Sequence, residues 1–399
     1  MEGVQAASTR EEELSKKETA LGLRNKRLDY LEEKIKSFKG FSQWSEAEIE
    51  ESRAYRRAIL EEEYDRLGFL DDEDLPEVED NEEQLASEYR KNWIWSRLYS
   101  FEETTCIPAM RFTDNHPPPS EANTRTTIQV FSAKIAGLSG GLHFPIDVFG
   151  VIAARDSADR RRNIIFSRTR DNCKTITGQD PYLVLTGPSR AILFLGHVFI
   201  EVMLNVKGAV ECEDKILNFQ ASELIYSDIW LSRMIDGPYT SKHSTLELTL
   251  GSIVSSVEAT IFVRVVDGSL PDVFFVTAHT NNSYPNHIKK ERRVEETDCK
   301  PILLLDSRDA TAPVSSDGRI NLSRSVVSVR KTGELIVSLK AFEPSKEILL
   351  CNKEAVFAPR EAGRSSGLLQ TELCTVEINV AWSLISVSAK CFCFSICLH

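Results

Sequence analysis

From residue 126 onward, apolar and polar positions alternate with a period of two, in short runs separated by Gly, Pro, Asn, Asp and Ser. The pattern predicts strands over Thr127–Ala136, Ile146–Ala154, Asn163–Ser167, Tyr182–Thr186, Ala191–Leu195, His197–Val206 and Lys215–Gln220. Further strands are predicted over Thr245–Val254, Ala259–Val266, Val273–His279, Ile302–Asp306, Leu322–Arg330, Glu334–Phe342, Glu354–Ala358 and Thr375–Leu384. Asp317-Gly318 and Thr332-Gly333 are tight-turn signals. No amphipathic helix alternates with these runs, which argues against a βαβ parallel sheet. The expected fold is mainly β: a large β-sandwich spanning residues 126–385. No fixed-period repeat points to a propeller.

The region before residue 126 has the other periodicity. Leu14, Leu21, Leu28 and Ile35 recur every seven residues within Glu11–Phe38. Their partner positions are Lys17, Arg24, Leu31 and Phe38, so the seam is half apolar at first and better later. It reads equally as a short coiled coil or as a solvated single helix. Ser45-Glu46-Ala47-Glu48 is a capping-box pattern that opens a second helix to about Leu67, with Gly68 as its stop. Nine acidic residues in thirteen make Asp71–Glu83 a self-repelling linker, or an acidic docking tract for a basic partner. A third helix over Glu82–Ser100 carries Trp93, Trp95, Leu98 and Tyr99, which predicts that it packs on the following domain. Pro117-Pro118-Pro119 breaks the chain before the first strand. The expected division is 1–70 helical, 71–125 linker and docking helix, 126–385 β-sandwich, and 386–399 an irregular Cys-rich tail.

Charge sharpens that division. The net charge is -12 over 399 residues. The first hundred residues carry 26 acidic and 16 basic side chains, and the rest carry 34 and 32. The β region is therefore close to neutral, which disfavours a nucleic-acid partner, since phosphate neutralisation needs a basic face. The densely charged start lacks the apolar core of a signal peptide, and no run is long enough to span a membrane. A cytoplasmic or nuclear location is expected. The nine cysteines then read as reduced thiols, and the sequons at Asn281 and Asn321 as irrelevant.

Candidate chemistry is sparse. Gly137-Leu138-Ser139-Gly140-Gly141 matches G-x-S-x-G, but a nucleophile elbow needs a helix after its serine, and here Leu142-His143-Phe144-Pro145 leads into another strand. Glu361-Ala362-Gly363-Arg364 has the Glu…Arg spacing of plant ribosome-inactivating N-glycosidases. Pro359, Gly363 and Ser365-Ser366-Gly367 make it a loop, not the helix those enzymes use. Arg160, Arg161, Arg162, Arg168 and Arg170 form a basic cluster that could meet phosphates or form a solvated loop; Lys289-Lys290 with Arg292-Arg293 is a second. No HExxH, paired CxxC, EF-hand or phosphate-loop pattern occurs, so neither metal nor cofactor is expected. Cys391, Cys393, Cys397 and His399 could hold a soft metal, or simply be part of an apolar tail that is not a prenylation box.

Several segments together resemble the domain-of-unknown-function 6598 family, which is expanded in cereal grasses. They are Phe101–Thr105, Met110–Asp114, Asp147–Asp156, Asp180–Arg190, Ser244–Gly251 and Val257–Gly268. The resemblance covers roughly Glu88 to Ile385. It implies no activity and no catalytic residues. In some cereal stress proteins a similar domain follows a ribosome-inactivating domain, so the implied context is plant stress or defence, here without the N-glycosidase. After Ser386 the sequence departs from the family, as an alternatively spliced end would, and no role is assigned to it.

Three function classes follow. The first is a non-enzymatic interaction module that binds a protein partner through the β domain and forms homo-oligomers through the Leu14, Leu21, Leu28, Ile35 helix. The second is a hydrolase or glycosidase-like enzyme built on converging carboxylates, or on Ser139 with His143. The third is RNA or ribosome association through the arginine loop.

Overall fold

In the computed structural model, the described residues are 89–90, 100–225, 232–281, 300–309, 313–343 and 348–387. The chain divides into two compact units, Met1–Leu85 and Ala86–His399. The heptad helix, the second helix, the acidic tract, most of the third helix, the Lys289–Arg293 cluster and the Cys-rich tail lie outside the described residues.

The second unit is built from strands β1 (Ala122–Asn123), β2 (Arg125–Leu138), β3 (Ile146–Arg155), β4 (Asn163–Arg168), β5 (Lys174–Ile176), β6 (Ile192–Leu193) and β7 (His197–Val206). Then come β8 (Lys215–Ile225), β9 (Arg233–Thr240), β10 (Ser244–Gly268), β11 (Val273–Asn281), β12 (Ile302–Asp306) and β13 (Arg319–Ile320). The last are β14 (Val326–Arg330), β15 (Glu334–Phe342), β16 (Leu349–Phe357), β17 (Arg364–Gln370), β18 (Cys374–Ser383) and β19 (Ile385–Ser386). Every ladder between these strands is antiparallel. The largest sheet runs β17-β18-β10-β2-β6, with β9, β13 and β14 also on β10. A second runs β4-β3-β7-β8 with β5 on β3, a third β12-β11-β15-β16, and β1 pairs with β19.

Among the described residues these sheets enclose two large hydrophobic cores and a small third cluster. In the first, Leu246, Leu248 and Leu250 of β10 pack with β2 against Val148 and Ile152 of β3 and Ile200 and Val202 of β7. In the second, Val257, Ala259, Ile261 and Val263 of β10 pack with β14 and β18 against β11, β12 and β15. One strand serves both. Its inward residues are even-numbered in the first core and odd-numbered in the second. The change of parity needs one extra residue, and the register supplies it: from Ile253↔Thr127 to Ser256↔Arg125, β10 advances three positions while β2 advances two. Ser255 takes φ +48 at this bulge.

The strand also bends there. Gln129 lies opposite Gly251 of β10, and Ser328 lies opposite Glu258. A straight strand would separate those two β10 positions by roughly 23 Å. Yet the Ser328 backbone N–H donates to the Gln129 Oε1 at 2.8 Å. β10 is therefore a corner strand that passes from one packed pair of sheets to the next.

Sequence and structure agree on the bounds of β7, β12 and β15, and on turns at Asp317-Gly318 and Thr332-Gly333. Four differences separate the two. The two runs predicted either side of Ser255 are one strand. Tyr182–Thr186 is not a laddered strand: it makes an isolated bridge to Lys134, the Leu183 N–H to Ala133 carbonyl bond and the Thr186 N–H to Ile165 carbonyl bond. Strand β9 contains Pro238, which is tolerated because β9 pairs with β10 alone and is an edge. Strand β17, also an edge, begins at Arg364 within what the sequence presents as a loop.

Candidate functional site

The arginine cluster that stands out in the sequence lies largely inside the protein. Arg155 and Glu201 are fully buried, and the Arg155 Nε donates to the Glu201 Oε2 at 2.9 Å. Arg162 donates to the other oxygen of the same carboxylate. Both guanidiniums stack on the Phe101 ring, each 4.7 Å from its centroid. A second knot forms around buried Asp156. It accepts from Arg190 at 2.7 and 2.9 Å and from the N–H groups of Ala158, Asp159 and Leu193. Burial works against the Arg190 charge, but Asp156, Asp159 and Glu258 together outweigh it and raise the Arg190 pKa. Buried Arg160 donates to the His197 carbonyl at 3.2 Å, and desolvation pushes its pKa down to about 10.

The other members of the cluster are dispersed. Arg161 is held by Glu103 at 2.7 Å. Arg168 and Arg170 sit at the far end of β4 from Arg160–Arg162; Arg170 donates to Asp214 at 2.9 Å and to the Gly208 carbonyl. The first group fastens residues 101–106 to the first core, helped by the reciprocal Thr105 N–H to Arg162 carbonyl and Arg162 N–H to Glu103 carbonyl bonds. Glu258, at the bend of β10, completes the frame by accepting from the Met110 and Ala191 N–H groups. Five of the six segments that carry the family resemblance, all but Ser244–Gly251, therefore meet in one buried polar framework.

The catalytic lookalikes separate in space. The Ser139 hydroxyl donates to the Lys242 carbonyl at 2.7 Å, and the chain turns through Gly140 and Gly141 at positive φ into β3, not into a helix. Glu361 pairs with Lys331, whereas Arg364 pairs with Asp114. Trp382 is fully buried, its indole N–H donating to Ser365 Oγ, so it offers no stacking face. Five cysteines among the described residues are free thiols, and no cluster of three His, Cys, Asp or Glu there could hold a metal.

What the structure does assemble is a groove of about 570 Å³ on the outer face of the second core. Its floor is β10 and β18. Phe262 points outward there, 38% exposed, opposite Asn379 of β18. Arg264, two residues on, faces Arg319 of β13 on one side and Glu377 of β18 on the other. Among the described residues neither Arg264 nor Arg319 makes an ion pair; the Arg264 Nε donates to the Asp317 carbonyl at 3.0 Å. Arg364 closes one end.

The far wall has a specific cause. Between β13 and β14, residues 321–325 leave the ladder, so Asn321, Leu322 and Ser325 stand beside β10 as a rim. The sequence predicts strand from Leu322; the fully buried guanidinium of Arg324 explains the departure. It donates to the carbonyls of Leu303 (2.7 Å), Val130 (2.7 Å) and Phe131 (2.8 Å). Phe131 is skipped where Ser132 opposes Thr249 and Val130 opposes Leu250. With no carboxylate beside it, Arg324 has its pKa pushed down by burial to about 9, and it is charged at neutral pH. The pattern did carry one signal for this site: Phe262 is an aromatic on the outward parity of a strand whose neighbours Ile261 and Val263 point inward.

The fold and site define a mainly β protein, its described strand ladders antiparallel, with two large cores on one bent strand and a polar groove on the outer face of the second. The chain belongs to the family described as domain of unknown function (DUF6598), whose model matches residues 127–380. No curated protein sequence matches it. Among solved structures, a human GIVD cytosolic phospholipase A2 is similar at 12% identity and a TM-score of 0.20, over 67% of this chain and 33% of that one, so the chain spans about a third of its length. A two-domain structure of Extended-Synaptotagmin 2 is similar at 10% identity and a TM-score of 0.22, over 67% of this chain and 95% of that one. Likenesses at these scores carry no argument. Among the described residues no helix is long and apolar enough to cross a membrane.

Proposed function

We propose that the chain is a non-enzymatic interaction module whose binding surface is the groove over β10, β13 and β18. The observation that carries this reading is the outward Phe262 beside two guanidiniums, Arg264 and Arg319, that face each other in register and make no ion pair among the described residues. Like charges directly opposite on a sheet are destabilising. A pair held this way on a rigid wall, with Glu377 and Asp317 nearby but in no ion pair with either guanidinium among the described residues, leaves both guanidiniums able to meet an external anion. The same pinned wall makes the groove pre-formed, which lowers the cost of ordering on binding. Self-association through the Leu14, Leu21, Leu28, Ile35 helix and a setting in plant stress or defence belong to this proposal; they rest on the heptad spacing and on the family resemblance.

The test replaces Phe262 with a photoreactive benzoylphenylalanine, irradiates the full chain in extract of its source tissue and looks for adducts. An adduct from position 262 that is absent from exposed position 210 and lost with Arg264→Ala/Arg319→Ala supports the reading. No adduct, or one indifferent to the two arginines, refutes it. Light scattering of the full chain and of a chain lacking residues 1–45 tests self-association: equal masses per chain would exclude it.

A further inference from the structure

Granting that the groove is the binding surface, we infer that it takes an acidic, extended peptide segment in which an apolar side chain lies next to carboxylates. Two guanidiniums facing each other across β10 and β13, roughly 5 Å apart at their Cβ atoms, present donors that a carboxylate between them would accept bidentately. Phe262 lies two positions along the same face of β10, so a residue adjacent to the bound acid meets an aromatic surface. The amide of Asn379 carries a donor and an acceptor, which is what a peptide main chain needs. The lining also contains two carboxylates, Asp317 and Glu377. These disfavour a polyphosphate strand, whose continuous charge would meet them, and leave an isolated acid among neutral groups as the better fit.

The Glu377 carboxylate gives the inference a sign of its own. It stands opposite Arg264 and makes no ion pair among the described residues. An incoming acid must approach it, so its neutralisation should strengthen binding. A purely structural role for Glu377 predicts no such gain.

The experiment is fluorescence anisotropy on the full chain with a labelled Gly-Ser-Glu-Leu-Glu-Ser-Gly peptide. Its counterparts carry Gln for both Glu, phosphoserine for both Glu, or Ser for Leu, and oligouridylate RNA is the remaining probe. The acidic peptide should bind. The Gln peptide, and the acidic peptide on Arg264→Ala/Arg319→Ala, should each bind at least about tenfold more weakly. Phe262→Ser should cancel the difference between the Leu and Ser peptides, and Glu377→Gln should tighten the acidic peptide about threefold. All four positions are at the surface, and unchanged melting curves would show that the variants fold. Equal binding of the Gln peptide, indifference to the two arginines, or RNA bound in place of every peptide would overturn the inference. Binding of the phosphoserine peptide alone would overturn the carboxylate and leave a phosphopeptide. If no peptide binds but the arginine-dependent adduct at position 262 forms, the ligand class is wrong and the groove stands; without the adduct, both fall.

Discussion

Replacing Arg324 with Met is the sharpest probe of how the groove is held. The side chain keeps its apolar stem and loses a guanidinium that bonds three carbonyls from two sheets. The Val130 carbonyl retains the Gln129 amide donor at 2.9 Å. The Leu303 and Phe131 carbonyls lose their bonds to Arg324. A buried acceptor left without a partner costs about 1–3 kcal/mol, so two cost about 2–6 kcal/mol. Relief of the desolvated charge offsets part of that, because no carboxylate compensates it in the folded protein. A net loss of about 3 kcal/mol is expected in urea denaturation. Hydrogen exchange should accelerate first at the amides of residues 321–325, ahead of the two cores. Lys134→Met, which breaks the exposed pair with Glu247 at 3.2 Å, is the control and should cost less than about 1 kcal/mol. A variant within about 0.5 kcal/mol of wild type, or faster exchange spread evenly over the molecule, would show that Arg324 does not hold the wall.

Asp156→Ala orphans five donors in one buried site, and breaking a buried ion pair from one side costs about 3–5 kcal/mol, readable as a urea midpoint far below that of Lys134→Met. Glu258→Gln tests linkage. Desolvation raises the Glu258 pKa above its ordinary 4.5 despite the Ala191 and Met110 N–H bonds and nearby Arg190. The folded state then holds a proton that the unfolded chain has lost, so this group makes stability fall as pH rises from 4.5 through the folded pKa. The Gln variant should show a flatter dependence when urea titrations are repeated from acidic to neutral pH; an identical slope would discount the carboxyl. Gly150→Ala should cost at least about 2 kcal/mol, because Gly150 has φ +125 and an added Cβ would lie 2.1 Å from the Met203 carbonyl oxygen on β7. An unchanged melting temperature would count against that backbone reading.

Strand identity was legible where burial alternates simply. His197–Val206 reads as a strand because its apolar residues fall on a regular inward face, and β7 has those bounds. The corner was not legible. Val254-Ser255-Ser256-Val257 looks like a break between two strands, since two serines interrupt the apolar pattern. In the fold they mark the bulge that lets one strand line two cores. Ser256 is buried there, its hydroxyl within 2.7 Å of the Thr127 hydroxyl and donating to the Arg125 carbonyl. Whether a polar pair ends a strand or kinks it depends on partners more than a hundred residues away, which no local window contains. The departure at residues 321–325 is illegible for the same reason: it depends on Arg324 reaching the carbonyls of Val130 and Phe131 where β2 bulges opposite β10.

The arginines show why density in sequence is a poor guide to binding. Arg160, Arg161 and Arg162 are adjacent, and adjacency on a loop suggests a solvated basic face. Adjacent residues also share one neighbourhood, and here it contains Glu103, Asp156, Asp159 and Glu201, so Arg162 and Arg161 meet protein carboxylates and buried Arg160 lies in the field of Asp156. Arg264, Arg319 and Arg364 are far apart in the chain and look like ordinary surface residues. Pairing of β10 with β13 and β18, and of β18 with β17, brings them to one groove. Of these, Arg364 has Asp114, whereas Arg264 and Arg319 have no carboxylate within ion-pair distance among the described residues. A guanidinium already bonded to a buried acid has little left to offer a ligand, because exchanging partners would leave that acid buried and unpaired at a cost of about 3–5 kcal/mol. An exposed guanidinium held opposite another loses nothing by accepting an anion and relieves the repulsion it has. The capacity to bind therefore follows from which charges the fold leaves uncompensated, and that is decided by strand register, not by spacing along the chain.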